Sequence, residues 1–581
     1  MRLRICLVTP FAWSQPHEVN DHVEGVAGEL RRLGHDITIL CPSNRSEDLR
    51  TGRRALARGG VDGVIAVGPA LPISRRSHMG VPVGVRANLS LALAGGSFDV
   101  VHGFEPGLPS LSYLALRDAE GIAVATFFSA DRLGYPPGRA QRERLLARLD
   151  GLIASSEEVA AATASRFPGD YRIVSAGVDT NRFRPAAKRR LVALEWQPTD
   201  RLLARACIRA LQRLPGWELL LLRAQPLLGK PYVPLRLRGR VHVRTARSPA
   251  ARAELLAPTA IAVPSPTGSE RLRLEAASAG AALVDVRAVA GDPDRVAAEL
   301  VRLAADDALR LELAATARAE AESQSFATVA AELDRLYRQL AGRRRLVHRD
   351  GRLLQDRRWI LCDLHLHTSW SHDCRIPVED LLDAAEAQGL GAIAITDHNV
   401  FGGALEAVEL ARGRAITVIP GEEVKTDGQG EVIGLFLHEE IPRGLSFADT
   451  VAAIRAQGGL VYLPHPFDRR HAIPDPATLH RHLADIDVFE VYNARLLFEV
   501  YNEEALRFAT KYNLTMGAGS DAHVLPGLGT GVVRMRAFRT PEEFLIGLRT
   551  AQILRRPKSL AYLQSLKWMA QVRGQVKEKV R

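Results

Sequence analysis

Cysteine is scarce in this 581-residue chain, with five thiols (Cys6, Cys41, Cys207, Cys362 and Cys374) and no Cys-x-x-Cys pair among them. That spacing supports neither a disulfide framework nor a cysteine zinc site, and it suits a reducing, cytoplasmic setting. No run of about eighteen apolar residues occurs, so a membrane-spanning helix is not expected. The apolar run at the start, MRLRICLVTPFAW, is too short for a secretion signal. Biased tracts and short internal repeats are also missing, which argues against a largely disordered chain or a solenoid.

What is present is the balance of a soluble globular protein, 46% hydrophobic and 25% charged. At about 150 residues per domain the length calls for three or four compact units, of which the sequence supports three. The formal net charge of +11 favours anionic partners such as phosphorylated substrates, nucleotides, anionic lipid surfaces or nucleic acid, without choosing among them.

Short β-like runs alternate with helical ones from Arg2 onward: ICLVTP, DITILCP, DVVHGF, IAVATFF, GLIASS and YRIVSAG. A second series near Arg189 contains WELLLLRA, RVHVRT and AIAVPSP and ends in a helical stretch from Asp294 to Leu340. The rhythm predicts parallel α/β sheets, read as two Rossmann-like halves over 1–185 and 186–342. A basic linker at 343–358 is followed by a fresh α/β series over 359–563, with seven candidate strands: WILCDLHLH, AIAITD, AITVIPG, EVIGLFL, LVYLPH, DVFEVYN and LTMGAGSD. The tail, 564–581, places Leu566, Met569, Val572, Val576 and Val580 at helical spacing among basic residues. Such a tail is expected to dock on a partner element, with peripheral membrane contact as the second expectation.

Ten of the seventeen histidines fall between Trp359 and Leu563. His365 and His367 stand two apart on a strand and so project from one face, where they can grip one metal cluster. An isolated HxH pair is equally compatible with a half-buried strand. Here it is followed by Asp373, by Asp397-His398, Glu422-Glu423, His465, Glu490 with Asn493, and Asp521 with His523, each group closing a β-like run. Strand ends are where α/β barrels place catalytic groups. Mixed imidazole and carboxylate donors suit Zn, Mn or Fe, and their number exceeds the needs of one tetrahedral ion, so two or three divalent ions are expected.

HxH with a following Asp, then TDH, PGxE, HP and GSDAH in that order, resemble the motifs of the PHP (polymerase and histidinol phosphatase) superfamily over Trp359 to about Leu563. The resemblance implies a distorted (β/α)7 barrel with metal ligands at His365, His367, Asp373, His398, Glu423, His465, Asp521 and His523. Glu423 is preferred to Glu422 because the motif places its ligand two residues after Gly421. Ser371-His372-Asp373-Cys374 departs from the Ser-Asp-Gly of many relatives, which leaves His372 as an alternative to Asp373. The implied chemistry is phosphate-ester hydrolysis by a metal-bound hydroxide. Asp397 is expected to orient a ligand imidazole. Arg495 is expected to act at the reacting phosphate, and Arg469, Arg470 and Asn493 to bind substrate.

The first 340 residues resemble a family-four GT-B glycosyltransferase, through RICLVTP, HVEGVAGELRRLGHDITILCP, FDVVHGFEP and RIVSAGVDTNRFRP. Several family features are changed. Glu18-Val19-Asn20-Asp21 replaces a Gly-Gly turn, and Gly pairs let the backbone approach a phosphate or sugar. Phe128 stands where relatives have His, and Thr267 where they have the first of two glutamates, leaving Glu275 as the second. Glu275, His102 and His22 are the candidate residues for a sugar nucleotide or its acceptor. The leading expectation is thus a phosphoesterase acting on a small phosphate ester or nucleotide, fused to a GT-B module that binds a sugar nucleotide or glycolipid, with transferase activity left open. Alternatives are an exonuclease on nucleic-acid ends, though no aromatic-interleaved basic segment supports it, and a scaffold whose glycosyltransferase half is silent.

Overall fold

The computed structural model describes residues 2–72, 78–79, 85–197, 200–223, 231–246, 248–265, 270–286, 292–342, 351–470, 472–556 and 565. Thr267, half of the basic linker and nearly all of the tail lie outside them. The chain forms two compact units, Met1–Ala341 and Gly342–Arg581.

In the first unit the strands β1 (Arg4–Val8), β2 (Asp36–Ser43) and β3 (Gly63–Pro69) are followed by a short antiparallel ribbon, β4 (Leu71–Pro72) with β5 (His78–Met79). Then come β6 (Val100–Phe104), β7 (Ile122–Phe127), β8 (Gly151–Ala154) and β9 (Tyr171–Ile173). They build a parallel sheet in the order β3-β2-β1-β6-β7-β8-β9. Its central strands are continuous apolar runs because helices cover both faces. Strand order reverses between β1 and β6, which opens a crevice at their carboxyl ends. A second parallel sheet, β12-β11-β10-β13-β14, uses β10 (Leu191–Trp196), β11 (Glu218–Arg223), β12 (Val241–Thr245), β13 (Ile261–Val263) and β14 (Ala282–Leu283). Its central strand β10, LVALEW, is absent from the strands expected above, as is β3.

The helical stretch expected to close the second half is shared between the two sheets. Val296, Leu300 and Leu303 pack in the second core. Val329, Leu333, Leu336, Tyr337 and Leu340 pack instead with Leu3, Ile5 and Leu7 of the first. The helix Phe326–Ala341 thus returns to the first half because its apolar stripe, spaced three and four apart, fits that core.

The second unit is one sheet of nine strands: β15 (Trp359–Leu366), β16 (Ala392–Ile395), β17 (Thr417–Lys425), β18 (Glu431–Leu435), β19 (Leu460–Leu463), β20 (Val488–Asn493), β21 (Met516–Gly519), β22 (Gly531–Arg536) and β23 (Gln552–Arg555). The run β15 to β21 curls until its two ends meet, with a Leu366–Ala522 bridge and a 2.9 Å bond from Asp521 N–H to His365 O. That makes a nearly closed seven-stranded barrel, with β22 and β23 added antiparallel outside β15. Its distortion lies in β18, which runs antiparallel to both neighbours. No helix among the described residues is long and apolar enough to cross a membrane.

Candidate metal centre

The polar residues of the second unit gather at the rim where the parallel barrel strands end. His365 closes β15 and His367 follows it; both are fully buried. Glu423 lies within β17, also fully buried, and meets four imidazoles: His398 Nδ1 at 2.9 Å, His465 Nε2 at 3.1 Å, His365 Nε2 at 3.4 Å and His367 Nε2 at 3.5 Å. Its neighbour Glu422 points to the other face, as strand alternation requires, and accepts from Ile441 N–H at 2.8 Å. Asp521 Oδ1 lies 3.4 Å from His367 Nε2 and 4.0 Å from His365 Nε2. Asp373 Oδ2 is 2.9 Å from His523 Nε2, and Oδ1 is 3.8 Å from His398 Nε2. His372 is exposed, its ring 5.6 Å from that of His398. Two of these residues have left-handed backbones that glycine normally takes, His465 at φ 24° and Asp521 at φ 50°. Strain of this kind persists where surrounding structure holds it.

Four overlapping groups have ligand atoms mutually within 4.8 Å: His367, His398 and His523; His365, His367 and Asp521; His365, Glu423 and His465; His398, Glu423 and Glu431. The donor set fits divalent ions on a specific observation: His367 Nε2 is buried without a hydrogen-bond partner. Its ring is held by its other nitrogen. Ser371 Oγ donates to Asp397 Oδ1 at 2.8 Å, so at 3.2 Å it accepts from His367 Nδ1–H, which leaves the Nε2 lone pair directed into the cluster. Glu490 acts likewise on His365, with Oε1 3.1 Å from Nδ1.

Charge follows this arrangement. Burial and the neighbouring His523 and His398 hold His367 well below the ordinary imidazole range. Burial opposes charge on His365, yet Glu423, Asp521 and Glu490 outweigh it and raise its pKa well above that range. Glu423 and Asp521 stay ionised despite burial because of the adjacent imidazoles and, for Asp521, Arg495.

The other candidate side chains lie around this cluster. Asp397 reaches an imidazole only through Ser371; its oxygens accept from Thr368 N–H at 2.7 Å and Thr368 Oγ1 at 2.6 Å. Asn493 is bonded beside the cluster: Nδ2 donates to Glu490 at 3.1 Å and to Asp521 at 3.3 Å while Oδ1 accepts from Arg495 N–H. Arg470 is directed to Asp468 at 3.3 Å, and Arg469 is half-buried beside it. Arg495 does sit at the cluster, with Nη1 3.1 Å from Asp521 Oδ1 and 3.2 Å from His523 Nε2. Glu431 was missed in the sequence: it begins β18, and only the reversed direction of that strand brings its start to the rim, 3.8 Å from His465 Nε2.

In the first unit, His102 is a core residue, its nitrogens 2.6 Å from Tyr337 Oη and 2.6 Å from Thr126 Oγ1. His22 is buried among Phe104, Phe128 and Phe326, and Nδ1 accepts from Gly177 N–H at 3.2 Å. Glu275 is consumed by arginines: Oε1 accepts from Arg271 Nε at 2.9 Å and Oε2 from Arg252. Arg252 also grips Glu195 at 3.0 and 3.1 Å, and Arg271 reaches Asp21 of the first half at 2.5 Å.

Comparison with known proteins matches residues 19–182 to Glycosyltransferase Family 4, residues 363–511 to the PHP domain and residues 499–553 to the PHP-associated family. The chain is 35% identical over 211 residues to an uncharacterized protein of Methanocaldococcus jannaschii, covering 34% of this chain and 84% of that one. A second uncharacterized protein of that organism is 35% identical over 161 residues, covering 26% and 91%. Phosphatidyl-myo-inositol mannosyltransferase of Propionibacterium freudenreichii subsp. shermanii is 32% identical over 165 residues, covering 27% of this chain and 42% of the relative, so the chain spans less than half of that enzyme. By its motifs, barrel and matched segments, the second unit carries a PHP domain followed by the PHP-associated family, and the first unit carries a Glycosyltransferase Family 4 region.

Proposed function

We propose that the second unit is a metal-dependent phosphoesterase acting on a small phosphate ester or nucleotide, with His365, His367, Asp373, His398, Glu423, His465, Asp521 and His523 holding two or three ions. The observation that carries this reading is the buried His367 Nε2, which makes no hydrogen bond amid converging imidazoles and carboxylates. Bound ions supply Lewis acidity that withdraws charge from phosphoryl oxygens and acidifies water. The protein's own groups prepare that chemistry. Glu490 and Ser371 set the tautomers of His365 and His367, and Asp397 anchors Ser371. Arg495, about a quarter exposed, commits Nη1 to Asp521 and His523, while Nη2, 3.9 Å from Asp373, is placed to hold a phosphoryl oxygen.

The first unit is read as a non-transferring member of its fold. The bonds from Glu275 to Arg252 and Arg271 support this, because both its oxygens are occupied where a nucleotide would need an acceptor. Metal content by elemental analysis, with phosphate release from sugar phosphates and nucleotides, tests the main reading. Two or three ions, with activity lost in His365→Ala, are expected; a metal-free, inactive protein would overturn it.

A further inference from the structure

Two glycines open the helix Gly402–Leu410, directly after the His398 loop. A Cβ on Gly402 would lie 2.4 Å from Trp370 Cζ3, and one on Gly403 would lie 2.1 Å from Asp397 Oδ2 and 3.0 Å from Trp370 Cδ1. The indole therefore rests on bare backbone at the spot where Asp397 supports Ser371 and His367. Its Nε1–H donates to Glu406 at 2.6 Å, and Trp370 N–H donates to Thr368 Oγ1 at 3.2 Å. A ring fixed this firmly is still 49% exposed, next in the chain to Ser371 and two residues from the exposed His372. Half of the Trp370 surface therefore stays in water although both its N–H groups are bonded and its ring is packed on glycine backbone beside Asp397.

We propose that Trp370 is a specificity-determining residue on which a planar ring of the nucleobase class, carried by the leaving group, stacks while its phosphate lies at the cluster. This rests on the phosphoesterase reading and names its substrate class. A rigid flat surface recognises a flat group with little ordering cost. The polar neighbours Glu406 and His372 argue against a lipid chain, which needs continuous apolar lining. Glu406, which accepts from the indole, adds negative charge beside the ring and disfavours a polyanionic strand relative to a single nucleotide.

The test compares hydrolysis of AMP and glycerol 1-phosphate by the metal-loaded full chain and by Trp370→Leu and Trp370→Phe. The wild type should favour AMP in kcat/KM. Trp370→Leu should lower the AMP to glycerol phosphate ratio about tenfold through KM, and Trp370→Phe should keep it within about threefold. Equal use of the two esters by the wild type, or an unchanged ratio in Trp370→Leu, overturns the stacking role and leaves the phosphoesterase standing. If neither ester is cleaved, calorimetry with AMP separates the two ideas: binding weakened in Trp370→Leu supports the platform without the reaction, and no binding ends it.

Discussion

Glu490 accepts from four groups: His365 Nδ1 at 3.1 Å, Tyr462 Oη at 2.9 Å, His465 N–H at 2.7 Å and Asn493 Nδ2 at 3.1 Å. It is fully buried, so its negative charge is spent on holding ligand residues rather than on solvent. Glu490→Gln keeps the shape, removes the charge and lets the His365 tautomer change. Metal affinity should fall about 10- to 100-fold, measured by competition with a chelator; unchanged affinity would remove Glu490 from the account. In the first unit, burial pushes the Glu105 carboxyl up to about 7, against the pull of Arg132 at 3.0 Å and Phe128 N–H. Between the ordinary glutamate value of 4.5 and about 7 the folded protein keeps a proton that the unfolded chain has released. Stability from this group is therefore full below the unfolded pKa and is lost as pH rises through the folded one, by at most about 3 kcal/mol. Glu105→Gln should flatten the decline of Tm between pH 5 and pH 8; parallel Tm profiles for the two proteins would contradict this.

At the scale of elements, the site depends on strand direction and on one helix start. Parallel strands bring His365, His398, His465 and Asp521 to one rim because each lies at or just after the same end of a strand. Glu431 joins them from the opposite end of β18, which runs backwards. The helix after His398 opens on glycines that make room for Asp397, Thr368 and Trp370. In Gly403→Ala the added methyl would meet Asp397 Oδ2 at 2.1 Å and Thr368 Oγ1 at 2.7 Å. Overpacking of this kind costs about 1–3 kcal/mol. The variant should melt at lower temperature and bind metal more weakly, since Asp397 anchors Ser371 and through it His367; a wild-type melting temperature and metal affinity would show that the helix start is not coupled to the site.

Across the whole molecule, the alternation of apolar runs with helical stretches marked three α/β series, two Rossmann-like halves and a barrel, because each run is long enough for a buried strand and each stretch long enough to cover it. The HxH, TDH, PGxE, HP and GSDAH spacings likewise marked a rim of ligands, since a motif at a strand end needs only local chain direction to be read. Tertiary structure alone decided the rest. Glu431 reaches the cluster through a reversed strand, and Trp370 meets Gly402 across 32 residues of chain. Tyr337 bonds His102 across 235 residues. Arg252 meets Glu195 and Glu275 only once the second sheet and its helices pack, and Arg271, four residues before Glu275 on one helix, reaches Asp21 only once the halves of the first unit come together. Periodicity specifies which face of an element is buried, but the partner that a buried charge or ring meets there is set by packing between distant segments, where desolvation leaves only paired arrangements stable.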